Sequence, residues 1–193
     1  MLSEKPTIFL GVDIGLKRDT CAVAGVYRDV SAKKIRLWGH MIWDPAIVGT
    51  VHLPTVTDGI LKMIENERIA GIWYDNYQFV GETQRITDAG YGRLIHDVNQ
   101  QTENVAFSNN LSDALGKDDL VMYPDAVVRS HFAVTGARIT ERGFRIEKRH
   151  QSKPIDSVLA IAMALYGCTQ DVSYLYHQSG NTEEEQHRAE ALP

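Results

Sequence analysis

The sequence predicts an α/β fold in which helices cover both faces of a mixed β-sheet. Three alternating apolar segments near the start of the chain are separated by short polar turns, which is typical of an antiparallel meander. Strand-like and helix-like segments then alternate, which favours parallel strands within the same sheet. An extra β-hairpin and a long apolar helix end the pattern. These features together predict one domain built on one central sheet.

The N-terminal meander is predicted to contain three strands. In the first strand Leu10 and Val12 point to one face of the sheet, whereas Gly11 and Asp13 point to the other. Because only short turns join the three strands, neighbouring strands are expected to run antiparallel. The strands are predicted over residues 7–14, 20–27 and 33–42.

The rest of the chain alternates between helical and extended patterns. A helix is predicted from Pro54 to about Arg68, because apolar residues recur there at helical spacing. The apolar segment 71–75 is typical of a strand that is buried on both faces. Glu141-Arg-Gly lies between two short extended segments, which predicts a hairpin. Further helices are predicted over residues 80–89, 103–115, 125–134 and 155–166, and further strands over 92–98, 120–123, 137–139 and 144–147.

The composition indicates a folded domain followed by a charged tail. The chain has 193 residues, of which 44% are hydrophobic, and this is enough for a substantial core. We expect residues 1–170 to form the domain and residues 171–193 to form an acidic, flexible tail. Cys21 and Cys168 lie in apolar segments without metal-ligand spacing, so both are expected to be reduced core residues. No segment reaches the length of a membrane span and no leader is visible, which predicts a soluble protein.

Three aspartates stand at the ends of apolar elements. Asp13 ends the first predicted strand, Asp75 ends a buried strand, and Asp156 begins the last helix. A buried ionised carboxylate is costly unless a positive charge meets it, so we expect the three side chains to converge on cations. Each aspartate also has a plain interpretation, as a turn residue or as a carboxylate favoured by a helix dipole. Asp19 is a weaker fourth candidate.

Converging carboxylates are the ligands that hard divalent cations prefer. Hydrolysis of a phosphodiester by the two-metal route requires two such ions about 3.5–4 Å apart, held by rigid elements. Small residues on the helix face that carries Asp156, such as Ala160 and Gly167, would let this helix approach the sheet closely. The predicted catalytic and metal-binding residues are therefore Asp13, Asp75 and Asp156, with two Mg²⁺ or Mn²⁺ ions as cofactors.

Basic residues are concentrated between positions 129 and 153, although the formal net charge of the chain is -5. The predicted hairpin lies in this segment, where contacts to phosphates would position a DNA duplex without reading its sequence. Lys153 precedes Asp156 by three residues and could neutralise phosphate charge in a transition state. A solvated surface and a helix-flanking lysine are the plain alternatives. The predicted DNA-binding residues are Arg142, Arg145, Lys148, Arg149 and Lys153.

Several motifs of the chain resemble one enzyme family. Gly11-Val-Asp-Ile-Gly with Asp19-Thr-Cys-Ala-Val is similar to its first strand and turn, and Ile72-Trp-Tyr-Asp-Asn-Tyr-Gln is similar to its second acidic motif. Phe107-Ser-Asn-Asn-Leu-Ser-Asp-Ala-Leu and Lys153-Pro-Ile-Asp-Ser-Val-Leu-Ala-Ile-Ala-Met-Ala resemble its later segments. The family is the C-terminal nuclease domain of tailed-bacteriophage terminase large subunits, whose fold is ribonuclease H-like. The resemblance covers roughly residues 7–170.

This resemblance implies a metal-dependent endonuclease that cleaves double-stranded viral DNA with little sequence preference during genome packaging. It also implies that Asp13, Asp75 and Asp156 hold two divalent cations. The implied partners are a packaging ATPase domain, the portal and the small terminase subunit, in the cytoplasm of the infected bacterial host and with no membrane involved. The sequence contains no Gly-x-x-x-x-Gly-Lys-Ser/Thr phosphate loop, so we expect either an isolated nuclease domain or a separately encoded nuclease.

Three other interpretations stay open at this point. Other ribonuclease H-like nucleases, such as junction resolvases and transposases, share the acidic cluster. Gly11-Val-Asp-Ile-Gly also resembles the first phosphate motif of actin-like ATPases, but a second such motif and a second lobe are missing from the sequence. A non-catalytic DNA-binding or packaging module would use the basic hairpin and the tail as its functional parts.

Overall fold

A six-stranded mixed sheet lies at the centre of the fold, and a hairpin forms a second, two-stranded sheet. The computed structural model describes residues 5–15, 20–99, 102–149 and 153–170. The strands are β1 (Thr7–Ile14), β2 (Cys21–Asp29), β3 (Lys34–Trp43), β4 (Arg68–Asp75), β5 (Ile95–Val98), β6 (Leu120–Val121), β7 (Thr135–Thr140) and β8 (Gly143–Lys148). The helices are α1 (Pro45–Val48), α2 (Leu53–Asn66), α3 (Asn76–Ile86), α4 (Asn104–Gly116), α5 (Ala126–Ala133) and α6 (Asp156–Gln170).

The order of strands in the large sheet is β5-β4-β1-β2-β3-β6. β1, β2 and β3 form an antiparallel meander, whereas β4 is parallel to β1, β5 is parallel to β4, and β6 is parallel to β3. β7 and β8 pair as an antiparallel hairpin. The predicted α/β class, with a meander, parallel strands and an extra hairpin, is therefore confirmed. The predicted tail, residues 171–193, lies outside the described residues.

Several element boundaries differ from the sequence-based prediction. The helix predicted over residues 80–89 begins at Asn76, directly after β4, and is followed by a π-helical turn that contains Gly90 at φ 92°. A 3-10 turn occupies residues 92–94, so β5 begins later than predicted. The short helix α1 was not predicted, although Asp44 caps it by accepting a 2.8 Å hydrogen bond from the backbone N–H of Ala46.

The alternation of side chains along β1 divides the core into two clusters. Leu10 and Val12 belong to the cluster that includes α2 and α3 residues such as Ile60 and Phe79. Phe9 belongs to the other cluster, which is formed largely by α6. The sheet is thus covered on both faces, because each strand of the meander presents apolar side chains to two separate helical layers.

Helix α6 approaches β1 so closely that a glycine is required between them. A Cβ atom on Gly11 would lie 1.9 Å from the carbonyl oxygen of Ala160 and 2.6 Å from the backbone nitrogen of Ala164. Further along α6, a Cβ atom on Gly167 would lie 2.3 Å from the ring of Trp73 on β4. The small residues of α6 therefore let the helix lie almost directly on the backbone of the sheet, as the sequence predicted.

We expect Gly11→Ala to destabilise the fold by at least about 1–3 kcal/mol, the usual cost of overpacking a core. The added methyl group would meet backbone atoms of α6 rather than a flexible side chain, so either α6 or β1 must shift. Urea unfolding followed by circular dichroism measures the loss. Gly39→Ala in β3 is the matched control, since a Cβ atom there has no neighbour within 4 Å. Equal stability of the two variants would contradict this account of the packing.

Candidate metal centre

Two of the predicted carboxylates stand at the same end of adjacent parallel strands. The register between β1 and β4 pairs Val12 with Tyr74, so Asp13 and Asp75 are the next residues along the two strands. Asp13 is 7% exposed, and Asp75 is partly buried. Because the carboxyl ends of parallel strands meet at one edge of a sheet, the two side chains share this edge.

Asp156 reaches this edge from the helical layer. It is the first residue of α6 and is 4% exposed. Thr20, which directly precedes β2, donates a hydrogen bond from its hydroxyl group to Oδ2 of Asp156. β2 pairs with β1 so that Cys21 lies opposite Ile14, and Thr20 is therefore at the end of the hairpin that carries Asp13. The contact places the start of α6 beside the end of β1.

The main chain thus brings the three predicted positions to one edge of the sheet, but the three carboxylate groups do not form a common set of metal ligands. Within the described ranges, no three His, Cys, Asp or Glu side chains form a group that could hold a metal ion. Asp19 lies outside the described residues. The chemistry of the donors fits a hard cation, because Asp13 and Asp156 offer carboxylate oxygens from an environment that is more than nine-tenths buried.

A buried histidine holds the first turn of α6 and was not predicted as part of the site. His131 on α5 is 2% exposed, and its Nδ1 accepts a 3.3 Å hydrogen bond from the backbone N–H of Ser157. The Ser157 hydroxyl lies 2.8 Å from the same nitrogen. Since Nδ1 accepts from a backbone N–H, the neutral ring carries its proton on Nε2. No sequence motif links His131 to Ser157, so this pair is a product of the tertiary fold.

The environment of His131 favours its neutral form. Burial lowers the pKa of His131 below its usual range, and the charges of His40 and Lys148 act in the same direction. The carboxylates of Asp156 and Asp44 oppose this shift. A neutral ring is the form that can accept the hydrogen bond from the backbone N–H of Ser157, so electrostatics and geometry agree at this position.

The predicted DNA-binding residues lie on and after the β7–β8 hairpin. Arg142 is exposed in its turn, Arg145 lies on β8 opposite Arg138, and Lys148 is the last residue of β8. Arg149 and Lys153 are exposed in the connection towards α6. The side chain of Arg138 is 3.6 Å from the Glu147 carboxylate, an exposed pair that contributes little to stability.

The hairpin is fixed to the face of the sheet that carries α6. The backbone N–H of Ile146 donates a 3.0 Å hydrogen bond to the Ser108 hydroxyl on α4, which in turn donates to Asn104 at 2.9 Å. Ile146 is buried in the same cluster as α6. The basic side chains are therefore presented from a rigid support on the same side of the sheet as Asp156.

Solved structures of phage large terminases share this fold. The crystal structure of the HK97 bacteriophage large terminase matches 86% of this chain at a TM-score of 0.73 and 11% sequence identity, and the match covers 40% of that protein. The large terminase nuclease from thermophilic phage G20c with bound magnesium matches 84% of the chain at a TM-score of 0.66 and 12% identity, over 82% of its own length. The corresponding nuclease domain from bacteriophage SPP1 with bound Mn matches 84% at a TM-score of 0.58 and 18% identity, over 86% of its length.

These likenesses show that the chain shares its fold with the nuclease domains of phage large terminases, as the sequence predicted. The chain spans about two fifths of the HK97 protein and most of the isolated nuclease domains. No protein-family model and no curated protein matches the sequence. Among the described residues, none of the helices has the length and apolar character needed to cross a membrane.

We expect His131 to make stability fall as the pH is lowered. Its pKa is depressed in the folded state, so below about pH 6.5 the unfolded chain binds a proton that the folded chain does not. This stability is present above the unfolded pKa and is lost as the pH falls through the folded pKa, with a slope of up to about 1.4 kcal/mol per pH unit. Urea unfolding between pH 7.5 and pH 5 measures the slope.

In His131→Gln the contribution of His131 to the pH dependence of the free energy of unfolding should disappear, whereas His52→Gln should keep it. His52 is the control because it is exposed and its side chain makes no cap hydrogen bond to α2. Identical slopes in wild type and His131→Gln would show that His131 does not titrate differently in the two states.

Proposed function

We propose that this chain is a divalent-metal-dependent endonuclease that cleaves double-stranded DNA with little sequence preference during the packaging of a tailed-phage genome. The observation that carries the proposal is the hydrogen bond between Thr20 and Asp156, which brings a buried carboxylate of α6 to the strand ends that carry Asp13 and Asp75. Support comes from the shared fold with nuclease domains whose structures contain bound magnesium or Mn.

In this proposal Asp13, Asp75 and Asp156 are the catalytic residues and hold two Mg²⁺ or Mn²⁺ ions. Bound there, the cations would activate a water molecule and stabilise the charge on the departing oxygen. β1, β4 and α6 supply rigid main-chain supports for the three carboxylates. Lys153, exposed ahead of α6, is suited to neutralise charge on the scissile phosphate.

The basic hairpin would bind the DNA backbone in the same proposal. Arg142, Arg145, Lys148 and Arg149 would contact phosphates, which gives affinity without sequence readout. The hairpin and α6 lie on one face of the sheet, so a duplex held by the hairpin could reach the strand ends. A packaging ATPase domain, the portal and the small terminase subunit are the proposed partners, in the host cytoplasm.

We expect Asp13→Asn, Asp75→Asn and Asp156→Asn each to reduce cleavage by at least about a hundredfold, because each removes a charged oxygen ligand. Nicking of supercoiled plasmid DNA in the presence of Mn²⁺ measures the rate. EDTA should stop the wild-type reaction, and added Mn²⁺ or Mg²⁺ should restore it.

Asp113→Asn is the matched control for these variants. Asp113 is an exposed α4 residue that pairs with the nearby Lys117 at 3.3 Å, so the same substitution should leave cleavage unchanged. Full activity in any one of the three site variants would remove that residue from the mechanism. DNA binding without any metal-dependent cleavage by the wild-type chain would favour a non-catalytic packaging module.

The double substitution Arg142→Glu with Arg145→Glu should weaken DNA binding for all sequences alike. Each phosphate contact that is lost should make the dependence of log Kd on log salt less steep by about 0.9. Fluorescence anisotropy with two unrelated duplexes, at several salt concentrations, measures both effects. Lys62→Glu on α2 carries the same type of charge change on the opposite face of the sheet and should leave the slope as it is. An unchanged slope in the hairpin variant would exclude the hairpin as the DNA-binding surface.

A further inference from the structure

Thr20 is the residue that connects the end of the β1–β2 hairpin to the carboxylate of α6. Its hydroxyl group donates to Oδ2 of Asp156, and the two residues are separated by 136 positions in the chain. Both are buried, with Thr20 at 5% and Asp156 at 4% exposure. We propose that Thr20 is a positioning residue that orients the Asp156 carboxylate for a divalent cation, an inference that rests on the proposed function.

The main chain fixes the place from which Thr20 donates. Its carbonyl oxygen accepts a 3.1 Å hydrogen bond from the backbone N–H of Gly15, so the residues that follow β1 and precede β2 are tied together. β2 begins at the next residue, Cys21, which pairs with Ile14. A β-branched side chain has few accessible χ1 rotamers, and the hydroxyl group is therefore held in a defined direction relative to the end of β1.

The donated hydrogen bond restricts the carboxylate in two ways. The terminal torsion of an aspartate is broad, and a donor on Oδ2 selects one orientation of the carboxylate plane. The same donor occupies one lone pair of Oδ2, so a cation is directed to the remaining lone pairs of Asp156. Hydrogen-bond partners of this kind typically change metal affinity by about 10–100-fold when they are removed.

The backbone of the first turn of α6 is held independently of Thr20. His131 accepts from the backbone N–H of Ser157, and Gly11 lets the middle of α6 rest on β1. Loss of the Thr20 hydroxyl group should therefore release the side chain of Asp156 without releasing the helix. This separates a positioning role from a purely structural one, because metal affinity should change while the fold is kept.

The test is Mn²⁺ binding to the full chain, followed by the electron paramagnetic resonance signal of the free ion. Thr20→Val keeps the shape of the side chain and removes the donor, and we expect its Kd for Mn²⁺ to rise by about 10–100-fold. Thr20→Ser keeps the donor and should bind Mn²⁺ like the wild type.

Thr57→Val is the matched control variant. Thr57 is also fully buried, and its hydroxyl group also donates to a carboxylate, that of Glu82 on α3 at 2.5 Å. It lies on α2, on the face of the sheet opposite α6, so the same substitution should leave Mn²⁺ affinity unchanged. A general effect of deleting a buried hydroxyl group would appear in both variants, and a positioning effect only at Thr20.

The outcomes separate this inference from the proposed function. Wild-type affinity for Mn²⁺ in Thr20→Val would overturn the inference and leave the proposed function intact, whereas a wild-type chain that binds no Mn²⁺ would overturn both. If circular dichroism shows that Thr20→Val is unfolded, Thr20→Ala replaces it, since alanine removes the donor with less steric demand. If neither variant folds, the hydroxyl group maintains the fold rather than the site, and the inference is wrong.

Discussion

The close approach of α6 to β1 is the constraint on which the rest of the structure depends. A helix can lie this near to a strand only where the facing residues have almost no side chain, and Gly11 meets the backbone of Ala160 and Ala164. The contact fixes both the height and the direction of α6 over the sheet. Because Asp156 begins this helix, the packing of small residues in the core also decides where a carboxylate meets the strand ends.

Burial makes the candidate site electrostatically demanding. Asp156 is almost fully enclosed, and a carboxylate in such a place requires donors or cations to offset the loss of hydration. Thr20 supplies one donor, and the start of a helix supplies a favourable dipole. Burial lowers the pKa of His131 and so favours its neutral form, which accepts a hydrogen bond from the backbone N–H of Ser157. The site is therefore organised by side chains that came from three different elements.

The clustering of basic residues in one part of the sequence makes a net charge of -5 compatible with the polyanionic partner proposed above. The basic residues are gathered on the β7–β8 hairpin and the connection to α6, and this hairpin is anchored to α4 through Ser108. Phosphate binding depends on the local density of positive charge rather than on the sum over the chain, because salt screens charges beyond about 8–10 Å. The net charge alone therefore does not argue against the nucleic-acid partner proposed above.

The sequence alone determined the class of the fold, the meander, the hairpin and the small-residue face of α6, because these follow from side-chain periodicity and residue size. It also placed Asp13, Asp75 and Asp156 at the ends of elements, since a charged residue that ends an apolar run is a local signal. The tertiary structure decided which elements are neighbours, and so introduced the contact of Thr20 with Asp156 and that of His131 with Ser157, which no local pattern predicts. It also set the π-helical turn and the late start of β5, because packing overrides local preference at such boundaries. Contacts between residues more than a hundred positions apart in the sequence, such as Thr20 and Asp156, depend on how the helical layers pack on the sheet. No local sequence pattern encodes this packing.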